Sequence, residues 1–134
     1  MRDWFKARRT PRQAVKVRVI NITRNTQIAA SVEIAESGAS RSKGLLGRKG
    51  LAPGEGLWIV PCEAVHTFGM LFSIDLVYLD RKYRIRKIRT NVGPWRLSAC
   101  LSAHSVIELA GGALQPQDAQ PGDFLEFSTI PRTP

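Results

Sequence analysis

The chain has 134 residues, 43% apolar and 23% charged, and its 20 Lys and Arg against 11 Asp and Glu give a formal net charge of +9. This is the composition of one folded domain with a modest core, not of a disordered chain. No apolar run approaches the roughly 20 residues of a membrane-spanning helix, and two cysteines are too few for a disulfide-built scaffold.

Residues 1–13 read as a basic tail, 14–130 as a single globular domain and 131–134 as a C-terminal tail. Residues 1–18 hold seven Lys or Arg against Asp3 alone, and residues 81–96 hold seven with no acid. The tail carries Trp4 and Phe5 but lacks the apolar stretch and small-residue cleavage site of an export signal, so a cytoplasmic protein is expected.

Val15–Ile22 alternates, with Val17 and Val19 on one side. Gln27–Ala35 follows as a second strand, with Ile28, Ala30, Val32 and Ile34 expected inward. Arg24–Thr26 is the turn between them, where Asn25 suits a left-handed backbone. Ser37 or Ser40 can cap a short helix running to Arg48, with Gly47 or Gly50 ending it. Leu57–Val60 is a short strand. Ser73–Leu79 is the clearest one, apolar on both faces and therefore central, with Asp75 among aliphatic neighbours. Tyr83–Thr90 is a charged edge strand, and Ser105–Leu109 and Phe124–Phe127 complete the pattern. Six to eight short strands, one or two short helices and no β-α-β rhythm predict a mostly β, α+β single domain. A compact barrel or folded sheet fits best.

Three constellations could carry chemistry. Cys62 and His66, and Cys100 and His104, are the only cysteines and histidines, each pair separated by three residues. Thiolate and imidazole suit tetrahedral zinc, but structural sites usually space paired ligands more closely. Reduced thiols and hydrogen-bonded histidines are the plainer reading, and neither metal nor cofactor is expected. Cys62 with His66, oriented by Asp75 or Glu63, would suit a thiol enzyme, yet nucleophile-elbow and phosphate-loop motifs are absent. The basic side chains Arg84, Arg86, Lys87 and Arg89, beside Tyr83, could track the phosphates of a nucleic acid; a solvated basic surface is the commoner explanation. Asp75 needs a partner if buried, and Arg48 and Arg96 are the expected cations.

The motifs Arg41-Ser-Lys-Gly-Leu-Leu-Gly-Arg48, Gly54-Glu-Gly-Leu57, Pro61-Cys62, Val65-His-Thr-Phe-Gly-Met70 and Ile74-Asp75 succeed one another in order. Leu79-Asp80, Pro94-Trp-Arg96, Ser105-Val-Ile-Glu-Leu109 with Gly111 or Gly112, and Gly122-Asp123 continue them. Together, from about Ile28 to Phe127, they resemble the family catalogued as domain of unknown function 192. The resemblance implies a small, mostly β domain without an established activity. It marks Arg48, His66, Met70, Asp75, Trp95 and Arg96 as the positions lining any site. Ser73 stands where proline usually precedes the Ile-Asp pair, and Tyr83 replaces the usual turn glycine. The expected function is a non-enzymatic binding or accessory module for a small molecule or anionic partner, through a polar cluster beside Trp95.

Overall fold

A computed structural model describes residues 15–131 of the protein. The basic tail with Trp4 and Phe5 lies outside the described residues. Strands β1 (Lys16–Asn21) and β2 (Thr26–Ala35) form the expected hairpin, turned by Asn25 at φ 56°. Val17, Val19 and Asn21 point inward along β1. On β2 Ile28 and Val32 are buried as expected, but Ala29 and Ala35 are buried as well and Ala30 is exposed, contrary to simple alternation. Register shifts along the β1–β2 pairing cause this, and the Gly54 carbonyl accepts from the N–H groups of both Ala30 and Ser31 at 2.9 Å. A bulged strand re-aims its side chains.

Helix α1 spans Gly38–Lys43, and Ser37 caps it by accepting from the Ser40 N–H at 3.0 Å. It stops well before Arg48, because Gly44 takes a φ of 49° and ends the helix earlier than Gly47 or Gly50 would. The chain then returns as β3 (Glu55–Ile59), which pairs with β2 in parallel. One crossover through a helix thus sits in an otherwise antiparallel fold. The remaining strands are β4 (Ala64–His66), β5 (Ile74–Leu79), β6 (Ile85–Val92), β7 (Leu97–Ala99), β8 (Ser105–Ala110) and β9 (Leu125–Thr129). Seven strands make one sheet in the order β6-β5-β8-β3-β2-β1-β9, and β4 with β7 makes a separate two-stranded ribbon. The protein is mostly β, as its sequence predicts, with one short helix among the described residues.

The curled sheet buries both its faces. Val19, Val32, Trp58, Val77, Ile107 and Leu125 fill one core. Leu45, Ile59, Ile74, Leu76, Tyr78 and Val106 fill the other, beneath the segment that follows α1. Alternation along β5 serves both cores, and all six of its residues are buried. Strand β6 is the edge expected from its charges, but its first residues do not stay unpaired. The Ile85 N–H donates to Asp123 O at 2.8 Å and the Leu125 N–H to Tyr83 O at 2.9 Å, which joins that end of the sheet to the start of β9. Tyr83 turns this corner at φ 64° in place of a glycine. Its ring is held edge-on by Trp58 and Phe127, at centroid distances of 5.6 and 4.9 Å. No helix among the described residues is long and apolar enough to cross a membrane.

Candidate functional site

Thr67 organises the end of the molecule where several of the expected residues meet. Its N–H donates to Arg96 O at 2.9 Å, its carbonyl accepts from the Trp95 N–H at 3.1 Å, and its hydroxyl donates to Gly93 O at 2.7 Å. The Arg96 N–H in turn donates to Thr67 Oγ1 at 2.9 Å. These bonds continue the β4–β7 ribbon, in which His66 stands opposite Leu97. They also hold Trp95 at φ 63°, a conformation costly for a bulky residue unless its surroundings impose it. The result is a short aromatic wall. The Phe68 and Trp95 rings stack at 5.8 Å with 24° between their planes, and the His66 ring lies 5.1 Å from Phe68. Trp95 remains 66% exposed, and Phe68, Leu71 and Leu97 are also exposed beside or near it. The Phe68 N–H donates to His66 Nδ1 at 3.3 Å, which fixes the imidazole. The Arg96 guanidinium folds back to Trp95 O at 3.4 Å.

The other expected members are placed elsewhere. Met70 is buried in the second core. Asp75 is fully buried, but neither Arg48 nor Arg96 meets it. Its Oδ1 accepts from the N–H groups of Asn91 and Gly112 at 2.8 and 3.0 Å, and its Oδ2 from that of Leu114 at 2.9 Å. Backbone donors satisfy this carboxylate in place of the expected arginine. Arg48 pairs instead with Glu33 at 2.9 Å, both half-exposed. The cluster of six therefore separates into a wall (His66, Trp95, Arg96), a core residue (Met70), a loop tether (Asp75) and a surface ion pair (Arg48).

Cys62 and Cys100 are free thiols. Their segments run side by side, since the Cys62 N–H donates to His104 O and the Cys100 N–H to Glu63 O, each at 2.8 Å. Among the described residues no three His, Cys, Asp or Glu side chains converge as metal ligands. Burial pushes the Cys62 thiol up, and its Sγ is turned to Ala64 O at 3.1 Å, away from any bond to His66. That is the opposite of an activated thiolate. The basic side chains on β6 and just before it also diverge. Arg84 reaches Gly122 O at 3.3 Å, whereas Arg86 and Lys87 turn to Ser102 Oγ and Ala99 O at 3.3 and 2.7 Å. A wide groove of about 1120 Å³ collects Arg84 with Arg41, Arg81, Lys82 and His104 instead; Arg89 is exposed on the strand outside it.

One residue escapes the sequence reading. Glu108, on β8, is 3% exposed and faces a cavity of about 160 Å³ that His66 and Met70 also line. Burial pushes its carboxyl up to about 7, against the pull of Arg48. The available signal was a single acid inside the apolar run Ser105–Ala110.

Comparison with known proteins agrees with this picture. Residues 19–127 match the family described as uncharacterized ACR, domain of unknown function 192. The UPF0127 protein PH1112 of Pyrococcus horikoshii is 30% identical over 118 residues, covering 83% of this chain and 99% of that one. A UPF0127 protein of Pyrococcus abyssi, PYRAB11210, is 31% identical, covering 83% and 97%. A solved structure from Sinorhizobium meliloti, described as a candidate transcription regulator, superposes with a TM-score of 0.74 at 23% identity, covering 89% of this chain and 97% of that one. These relatives and the ordered motifs lead to one assignment: the chain belongs to the uncharacterised domain-of-unknown-function-192 family, whose curated relatives here are named UPF0127.

Proposed function

We propose that this protein is a non-enzymatic binding module whose small-molecule ligand stacks on the wall formed by Phe68 and Trp95, with His66 and Arg96 as polar contacts. The observation that supports it most is Trp95, a large side chain held out in solvent at a left-handed φ by bonds to Thr67. Strain of this kind persists where the surroundings impose it and concentrates at functional positions. Aromatic pairs offer a rigid apolar face at low entropic cost. The reading is tested by a fragment screen followed by backbone amide NMR. Ring-bearing hits should shift residues 66–71 and 93–97, and Trp95→Ala should weaken them about tenfold while leaving the fold intact. Hits that bind Trp95→Ala equally well would overturn it.

A second reading, an anionic partner, is favoured by the groove that gathers Arg41, Arg81, Lys82 and Arg84. Steep salt dependence of binding to single-stranded DNA or heparin, lost in the double variant Arg81→Ala/Lys82→Ala, would support it over the first.

A further inference from the structure

A buried carboxyl group with an oxygen left unbonded requires a proton or a counter-charge. Glu108 is in that position. Its neighbours across the sheet are Leu57 and Leu76, both buried, and its Oε2 has no hydrogen-bond partner among the described residues. Two of the cations around it are bonded elsewhere. Arg48 is bonded to Glu33 at 2.9 Å, and Arg41 Nη1 reaches Pro61 O at 3.4 Å. Lys43 and His66 stand with Arg41 in the cavity lining. Of the remaining titratable groups, Cys62 donates to Ala64 O, and the Tyr78 hydroxyl on the adjoining strand is bonded to Ser98.

The cavity has the dimensions of a ligand. Its volume is about 160 Å³, and Leu45, Leu46, Val65 and Met70 supply apolar lining opposite the carboxyl. An apolar cavity of about 150 Å³ accepts a molecule the size of benzene. A metal ion would not find its donors, since no three suitable side chains converge among the described residues. An anion would be drawn towards Arg41 and Lys43 and would leave Oε2 unpaired. A compact cation supplies what is missing.

We propose that the cavity between the α1–Leu46 segment and β8 binds a small ligand with a primary ammonium head, seated on Glu108 while a short aliphatic tail packs against Leu45, Leu46, Val65 and Met70. The inference stands apart from the aromatic wall, with which it shares only His66.

Butylammonium is the probe, titrated calorimetrically in two buffers of different ionisation enthalpy. Binding near pH 7 should release a proton, because the cation selects the ionised carboxylate. It should be about tenfold weaker near pH 6 than near pH 8. Glu108→Gln should abolish both binding and proton release. Trp95→Ala should bind as the wild type does, which separates this cavity from the wall. Equal binding by Glu108→Gln, preference for butyrate, or no binding at either pH would overturn the proposal. Should Glu108→Gln fail to fold, carbon-detected NMR of Glu108 in the wild-type protein decides. Butylammonium must lower the titration midpoint of the carboxyl, and an unmoved midpoint rejects the site.

Discussion

Asp75 shows what a single side chain can do when buried at the right depth. Its two oxygens collect three backbone N–H groups from a strand end and a loop, tying Asn91 at the end of β6 to Gly112 and Leu114 after β8. Asp75→Asn would turn one acceptor into a donor, so an N–H such as that of Leu114 would face an amide N–H. A buried donor left unsatisfied costs about 1 to 3 kcal/mol, and a loss of that size is expected in chemical denaturation. Asp80→Asn is the control. Its Oδ1 accepts from the exposed Lys82 and Arg84 N–H groups; Asn can do the same, so stability should change by less than about 0.5 kcal/mol. The sequence revealed that Asp75 is buried and needs partners, but it suggested arginines. Backbone donors belong to almost every residue, so composition and spacing cannot flag them, whereas an arginine is conspicuous. Glu108 was missed for a related reason: a lone acid among Val, Ile and Leu looks like an interruption until both neighbouring strands are known.

At the scale of elements, legibility followed length and periodicity. The β1–β2 hairpin and β5 were readable because alternation over six or more residues outweighs local exceptions. Strands β4 and β7 have three residues each, too short to show a period, and only their mutual pairing defines them. The parallel β2–β3 pairing was likewise hidden, since the intervening helix has only six residues. Close strand packing yields a prediction here. A Cβ on Gly56, in β3, would lie 2.9 Å from both Glu108 O and Leu109 Cδ2 on β8. The carbonyl cannot yield without moving its strand, so Gly56→Ala should cost about 1 to 3 kcal/mol. Thermal unfolding of both variants checks it: Gly50→Ala, where nothing lies within 4 Å, should be nearly neutral.

The stability of the whole molecule depends on two carboxyls that respond to pH in opposite senses. Asp123 sits where the sheet closes on itself. Burial raises its carboxyl, but bonds from Asn21, Arg24 and the Gln120 N–H to its Oδ2 outweigh this and hold it below its ordinary value of 3.8. Its contribution is present above pH 3.8 and is lost as pH falls through the lower folded value. Glu108 works the other way. Its carboxyl is raised from 4.5 to about 7, so the folded state holds the proton more tightly, and stability is lost as pH rises across that interval. The full interval corresponds to about 3 kcal/mol. The two effects together place the maximum of these contributions near pH 4 to 4.5 rather than at neutrality. Urea denaturation at a series of pH values checks it. Glu108→Gln should remove the decline between pH 4.5 and 7 and leave the acid limb unchanged. Asp123→Asn should lower stability mainly at neutral pH and flatten the acid limb, because the ion pair with Arg24 that links the first hairpin to the closing segment is gone. A wild-type profile that keeps rising from pH 4.5 to 7 would show that Glu108 is neutralised in the folded state by a group other than a proton.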